Sequence, residues 1–409
     1  MQLTPRGAGP KLPGKELGRK RPLRMTGQRA PGAALPLAGL CVFEFGHSVA
    51  APFAGQILGD MGAEVIKVEK PAGDDARRWG PPFWEGESAI FQTLNRGKRS
   101  LCLDLRDEAA IARLKALLLE RGDVVLQNMR PGQAESLGLG AEALLAAKPS
   151  LVCCNLGAFG RTGPLAQAPG YDPLMQAFGG LMSVTGEAGR PAVRVGVSMV
   201  DMGTGMWAVI GILAALQRRA MTGIGGVVDV SLFETAAAWM SVPVAQYLSS
   251  GEAPERQGSG AQGIVPYRAY RTADGELVVA AGNDALFRAL ARVLERPEWL
   301  DDPRFRSNPD RVAHQDLLYP MIEAEMLKRP NAEWMRRLDI AGIPCAPVQD
   351  VGAMLEHPQT QALGLLQSLP GTGVQAIGLP ISFDGTRPEP RGPVPARGAD
   401  NALLGGNAA

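Results

Sequence analysis

From Leu37 onward the sequence repeats one pattern: a short apolar run, a turn, then a stretch whose apolar residues recur at helical spacing. Leu40–Phe45 is an apolar run of strand length. After it, Phe53, Ile57, Leu58 and Met61 share one helical face, with Pro52 suited to the first turn and Gly62 to the stop. Val65–Val68 is the next strand. Asp107 is placed to cap a helix through Ile111, Leu114 and Leu118, with Gly122 at its end, and Val124–Leu126 and Leu151–Asn155 follow as strands. Strands that need a helical crossover to reach their neighbours lie parallel, so the class is α/β with a parallel sheet.

A parallel α/β sheet raises the expectation of a dinucleotide enzyme. The first turn, Gly46-His47-Ser48-Val49-Ala50-Ala51-Pro52, lacks the GxGxxG that lets backbone approach a pyrophosphate, which argues against a dehydrogenase. Further on, Val195–Val200 is strand-like, a long helix is expected from about Met202 to Ala220, then Val227–Leu232 and another helix through Tyr247. Ile264–Tyr270 and Leu277–Ala281 flank Asp274-Gly275 as a hairpin. The domain organisation read from this is residues 36–225 as the first part of a large domain, 226–257 as linker helices, 258–338 as a small domain and 339–409 as a return to the large one. Residues 1–35 form a basic, proline-broken tail read as disordered; the alternative is a mitochondrial transit peptide.

The net charge of +1 gives no reason to expect nucleic acid. Apolar stretches such as Met206–Leu216 read as too short or too glycine-interrupted to span a bilayer. Cys41, Cys102, Cys153, Cys154 and Cys345 form no CxxC, and His47, His314 and His357 lie far apart, so no metal site is expected. The composition fits a cytoplasmic protein, or a matrix one if the tail is a transit peptide.

Several segments, in order and spacing, carry a resemblance. They are Gly62-Ala63-Glu64-Val65-Ile66-Lys67-Val68-Glu69, Asn95-Arg96-Gly97-Lys98-Arg99-Ser100, Leu103-Asp104-Leu105-Arg106, Asn128-Met129-Arg130-Pro131-Gly132, Gly170-Tyr171-Asp172, Thr185-Gly186 and Asp201. Over roughly Leu37 to Arg391 the chain resembles the class III CoA-transferases, the formyl-CoA transferase and carnitine CoA-transferase superfamily. Gly263–Tyr270 and Val278–Asn283 resemble the dicarboxylate branch, which includes succinyl-CoA:glutarate transferases. The resemblance implies a Rossmann-like large domain, a smaller α/β domain and an interlocked homodimer, with CoA as substrate and no cofactor.

It also implies roles. Asp201 aligns with the covalent nucleophile, and as the opening residue of a helix it would feel free N–H groups that favour its ionised form; on residue type alone it reads as a plain N-cap, and the resemblance reverses that reading. His47, Val49, Ala50, Lys70, Leu103, Asp104, Leu105, Arg106, Asn128, Met129, Arg130, Ala168, Pro169, Gly170 and Tyr171 match CoA contacts. Ser136 departs from the arginine common there. Asp172 and the glycine-rich Gly258, Gly260 and Gly263 match the substrate side, and Arg96, Arg161 and Arg194 are candidates for a far carboxylate of the acceptor. Two other functions stay open. In a 2-methylacyl-CoA racemase a histidine would stand at Tyr171, and tyrosine is a poor base near neutrality. A non-catalytic CoA-binding protein would be expected to lose Asp201.

Overall fold

The computed structural model describes residues 34–405, so most of the basic tail lies outside the described residues. The apolar runs form β1 (Cys41–Phe45), β2 (Glu64–Glu69), β3 (Arg99–Cys102), β4 (Val124–Gln127), β5 (Val152–Gly157) and β6 (Gly226–Ser231). All pair in parallel in the order β3-β2-β1-β4-β5-β6. This is the doubly wound Rossmann order, present without its glycine fingerprint. Strand β1 lies between β2 and β4, with Val42 opposite both Val65 and Val124.

Helix α1 (Ala50–Asp60) and the 24-residue α2 (Met199–Thr222) cover one face. Ala51, Ala54, Leu58, Val200, Ala208 and Ile212 belong to that core. Helix α2 begins earlier than the sequence suggested, and no strand forms at Val195–Val200. The backbone explains this: Val195 N–H is taken by Gln176 Oε1 at 2.8 Å and Val200 N–H by Asp172 Oδ2 at 2.8 Å, leaving no ladder to join. Among the described residues α2 is the one helix long and apolar enough by composition to cross a bilayer, with mean hydropathy 1.7. The sequence reading missed this because glycines were taken as breaks. Gly205 is instead a packing device: a Cβ there would sit 2.8 Å from Ala50 O, so only glycine lets α2 approach α1.

Residues 226–257 are not a linker. Strand β6 completes the sheet, with Val228 and Val230 against the core, because Cys154 and its neighbours in β5 offer a free edge. The helix expected through Tyr247 is two, Leu232–Trp239 and Ser241–Ser250, since Pro243 lacks an N–H and suits only a first turn. The hairpin forms as read, from β7 (Tyr267–Arg271) and β8 (Glu276–Ala280). Its third strand, β9 (Cys345–Pro347), lies beyond Leu338, so the small sheet reaches past the boundary read from sequence; Ile343 buries in the same core. The chain then returns: Arg391 donates to Gly62 O at 2.8 Å, and Asp400 and Asn401 accept Ser100 and Cys102 N–H at 2.9 and 2.8 Å, covering the edge of β3.

Strands β1 and β2 each carry a charge at a buried position. Glu44 accepts from Lys67 Nζ at 3.1 Å and from Lys98 Nζ at 2.7 Å, all three fully or almost fully shielded from water. Lys67 also pairs with Asp74 at 2.9 Å. Burial works against charge on Lys67, yet Glu44 and Asp74 hold its pKa above the lysine range; burial brings Lys98 down to about 8 against the pull of Glu44. Glu44→Gln should lower stability by about 3–5 kcal/mol, because it leaves buried Lys98 without a carboxylate and Lys67 with Asp74 alone. Urea denaturation of the variant measures this; a loss under about 1 kcal/mol would contradict the assignment.

Candidate active site

A cleft of about 550 Å³ opens at the carboxyl ends of β1 and β4, where the strand order reverses. Ligands of doubly wound sheets bind at this switch point. Its floor is the turn after β1. Ser48 there adopts φ 68°, and its N–H is accepted by Asp74 Oδ1 at 3.2 Å. Asn128, just past β4, holds His47 from both sides: its Oδ1 accepts His47 N–H at 3.1 Å and its Nδ2 donates to His47 O at 3.0 Å. The buried charges lie directly beneath. Lys67 donates to Gly46 O at 2.7 Å and Lys98 to Pro52 O at 2.9 Å, so both ends of the turn are tied to the Glu44 cluster. Desolvation, partly offset by Asp74, holds His47 below the ordinary imidazole pKa.

Asp201 lines the cleft from the first turn of α2. It does not cap the helix with its own side chain. Asp172, buried at the start of the helix Asp172–Phe178, does so from outside: its Oδ2 accepts the N–H of Val200 at 2.8 Å and of Asp201 at 3.2 Å. Its Oδ1 accepts from Gln176 Nε2 at 2.6 Å. The N–H groups expected to favour an ionised Asp201 are thus spent on a second carboxylate. Burial first, and the charge of Asp172 second, push the Asp201 pKa up to about 7. The sequence expectation had the opposite direction.

The cleft gathers His47, Ala50, Lys70, Leu105, Asn128, Met129, Arg130, Ala168, Pro169, Gly170 and Tyr171 around Asp201. Other candidates stand elsewhere. Val49 is the N-cap residue of α1, beside the floor. Leu103 is buried in the core, and Asp104 and Arg106 pair with each other at 2.7 Å on the surface. Arg96 is buried against Asp60 at 2.7 Å, a structural ion pair that removes it from acceptor recognition. Arg161 pairs with Asp229 at 3.1 Å. Arg194 is exposed next to Val195, and Asp172 supports the helix start rather than facing the cleft. Gly258 N–H donates to Gly186 O at 2.9 Å and Gly260 N–H to Gln257 O at 2.8 Å; with Gly263 they form a loop outside the cleft lining.

Sequence reasoning missed Glu44, Lys67, Asp74 and Lys98 as supports of the floor, although charges inside apolar strands were a visible signal. Gln176 and the cleft-lining Trp79 carried none. Among the described residues no group of His, Cys, Asp and Glu is placed to hold a metal ion.

The profile of CoA-transferase family III matches residues 37–401. The chain belongs to that family. A protein named succinate–glutarate CoA-transferase from Agrobacterium fabrum is 37% identical, over 88% of this chain and 94% of its own length. Acetyl-CoA:oxalate CoA-transferase of Acetobacter aceti is 38% identical, over 86% and 90%. A CaiB/BaiF family protein from Brucella suis superposes with a TM-score of 0.82 at 36% identity, covering 91% of this chain and 99% of that one. The chain is therefore an enzyme that transfers CoA, and its similarity to the glutarate-type relatives agrees with the branch read from sequence.

The elevated pKa has a consequence for the transferase's stability. A carboxyl whose folded pKa lies near 7 and unfolded pKa near 3.9 favours folding when protonated, so its ionisation destabilises the fold as pH rises from about 4 through 7. Asp201→Asn should therefore melt at least about 2 °C above wild type at pH 8 and within about 1 °C of it at pH 4.5. Equal melting temperatures at both pH values would contradict the raised pKa.

Proposed function

We propose that the transferase moves CoA from succinyl-CoA or a similar donor to a dicarboxylate acceptor, with Asp201 as covalent carrier. The observation that carries this reading is a desolvated carboxylate at the inner end of a cleft whose mouth presents Lys70 and Arg130. The cations suit the phosphates of CoA, and the apolar Ala50, Leu156 and Leu232 suit its thioester end.

The steps balance without an external energy source. The ionised Asp201 attacks the thioester carbonyl, forming a mixed anhydride and expelling CoA as thiolate. The thiolate attacks the aspartyl carbonyl of the anhydride, releasing the donor acid and leaving an aspartyl-CoA thioester. The acceptor carboxylate attacks that thioester, giving a second anhydride and free thiolate. Attack of the thiolate on the acceptor acyl carbon yields the new acyl-CoA and restores Asp201. A carboxylate poorly solvated in the ground state is the stronger nucleophile, and a sheltered cleft keeps water from the anhydrides.

For the acceptor, Arg194 is the arginine candidate that remains exposed and unpaired with a carboxylate among the contacts described. The apolar faces of α2 and the following helices, including Met206, Trp207, Ile210, Trp239, Val242 and Leu248, are exposed in the single chain. Faces of this size favour a homodimer, in keeping with the interlocked assembly of the family.

Asp201→Asn keeps side-chain size but removes the nucleophile, so turnover should fall at least about 1,000-fold, the scale of a lost nucleophile, with CoA affinity kept. With wild type, succinyl-CoA and no acceptor, hydroxylamine should leave a hydroxamate on the peptide containing Asp201, read by mass spectrometry. Exchange of the substrate alpha proton with solvent deuterium and no adduct would make the chain a racemase instead.

A further inference from the structure

Two side chains near Asp201 make a pattern that the covalent steps do not use. Asp172 is 2% exposed, yet it accepts the N–H groups of Val200 and Asp201, the first residues of α2 that would otherwise have none to accept them. Gln176, fully buried one turn further on, uses both ends of its amide. Its Nε2 donates to Asp172 Oδ1 at 2.6 Å, and its Oε1 accepts Val195 N–H at 2.8 Å. One helical turn thus fixes both the irregular approach to α2 and the backbone of Asp201 itself.

We propose that Asp172 and Gln176 form a positioning clamp: Asp172 occupies the N-terminal N–H groups of α2 so that the Asp201 carboxylate is held into the cleft without hydrogen bonds from its own helix, and Gln176 locks Asp172 and the Val195 backbone in register. The inference rests on Asp201 being the nucleophile and deepens that reading.

Three observations support it. A free aspartate in a first turn normally folds back on the helix N–H groups and is stabilised there; with those groups filled, Asp201 has no such retreat. No side-chain hydrogen bond caps α2 from Ser198, and the carboxylate that accepts N–H groups at this helix end is that of Asp172. The electrostatic result is the rise of the Asp201 pKa to about 7, in which Asp172 is the one charged contributor besides burial. The other charged or titratable groups around the cleft are engaged elsewhere or stand at its mouth. Lys70 pairs with Asp75, Asp74 with Lys67, and Glu69 with Arg77. On the helix packed behind, Glu234 accepts from Ser231. His47, Arg130 and Tyr171 line the cleft without appearing among the causes of the Asp201 shift.

The test compares wild type, Asp172→Asn and Gln176→Met by the rate at which succinyl-CoA, without acceptor, acylates Asp201, trapped with hydroxylamine and located by mass spectrometry. The acylation rate at saturating succinyl-CoA should fall at least tenfold in both variants, with the KM for succinyl-CoA within about threefold of wild type. In Asp172→Asn the acid limb of kcat/KM should also move to lower pH by at least one unit, because a repelling charge is gone. Should Asp172→Asn not fold, as circular dichroism would reveal, Gln176→Met decides by its acylation rate alone. Wild-type acylation rates in the folded variants, or slower rates matched by a fallen KM affinity with the acid limb unmoved, would overturn the clamp. Absence of any adduct on Asp201 in the wild type would instead remove the nucleophile reading on which it rests.

Discussion

The arrangement depends on one buried carboxylate. Glu44 sits in the central strand with Lys67 on one oxygen and Lys98 on the other, and each lysine reaches on to a backbone carbonyl of the turn above. Without the lysines Glu44 would be a buried carboxylate with no cation beside it; without Glu44 the lysines would repel each other there. The pair of cations ties Gly46 to Pro52, and Asp74 adds a hold on Ser48. A turn that carries no glycine fingerprint is thereby made rigid by charge instead of by a cradle of glycines.

The same substitution of means shapes the chemistry. At a helix start the expected outcome is a stabilised, strongly acidic aspartate. Here the helix end is satisfied by Asp172, and Asp201 keeps its position while losing that stabilisation. The fold thus supplies a carboxylate whose charge is costly, and in the proposed mechanism that cost is what makes it reactive toward a thioester. Residues that carry such a penalty are expected at functional sites, where the surrounding packing offsets it.

The alternation of strands and helices was legible because its signals are local: the apolar runs, the capping Asp107, which accepts Ala109 N–H at 2.9 Å, and the closing Gly122 all stand where the sequence put them. The cleft was legible through segments whose order carried a resemblance, and most of those residues do converge. What was not legible depended on distant partners. Arg96 looks like a free cation until Asp60 is brought 2.7 Å away. Val195–Val200 has strand composition, but Gln176 and Asp172 take its N–H groups. The pKa of Asp201 could not be read from its place on a helix, because burial in the cleft raises it first and Asp172, twenty-nine positions earlier, raises it second, and the sequence alone orients neither.

The central claim is that Asp201 stands in the resting enzyme as a carboxyl group titrating near neutrality. Infrared difference spectroscopy between wild type and Asp201→Asn, followed from pH 5 to pH 9 in the absence of CoA, isolates that group's protonated and ionised carboxyl bands. The account predicts one carboxyl band lost from the wild type with a midpoint near pH 7. A band already fully ionised at pH 5 would contradict it.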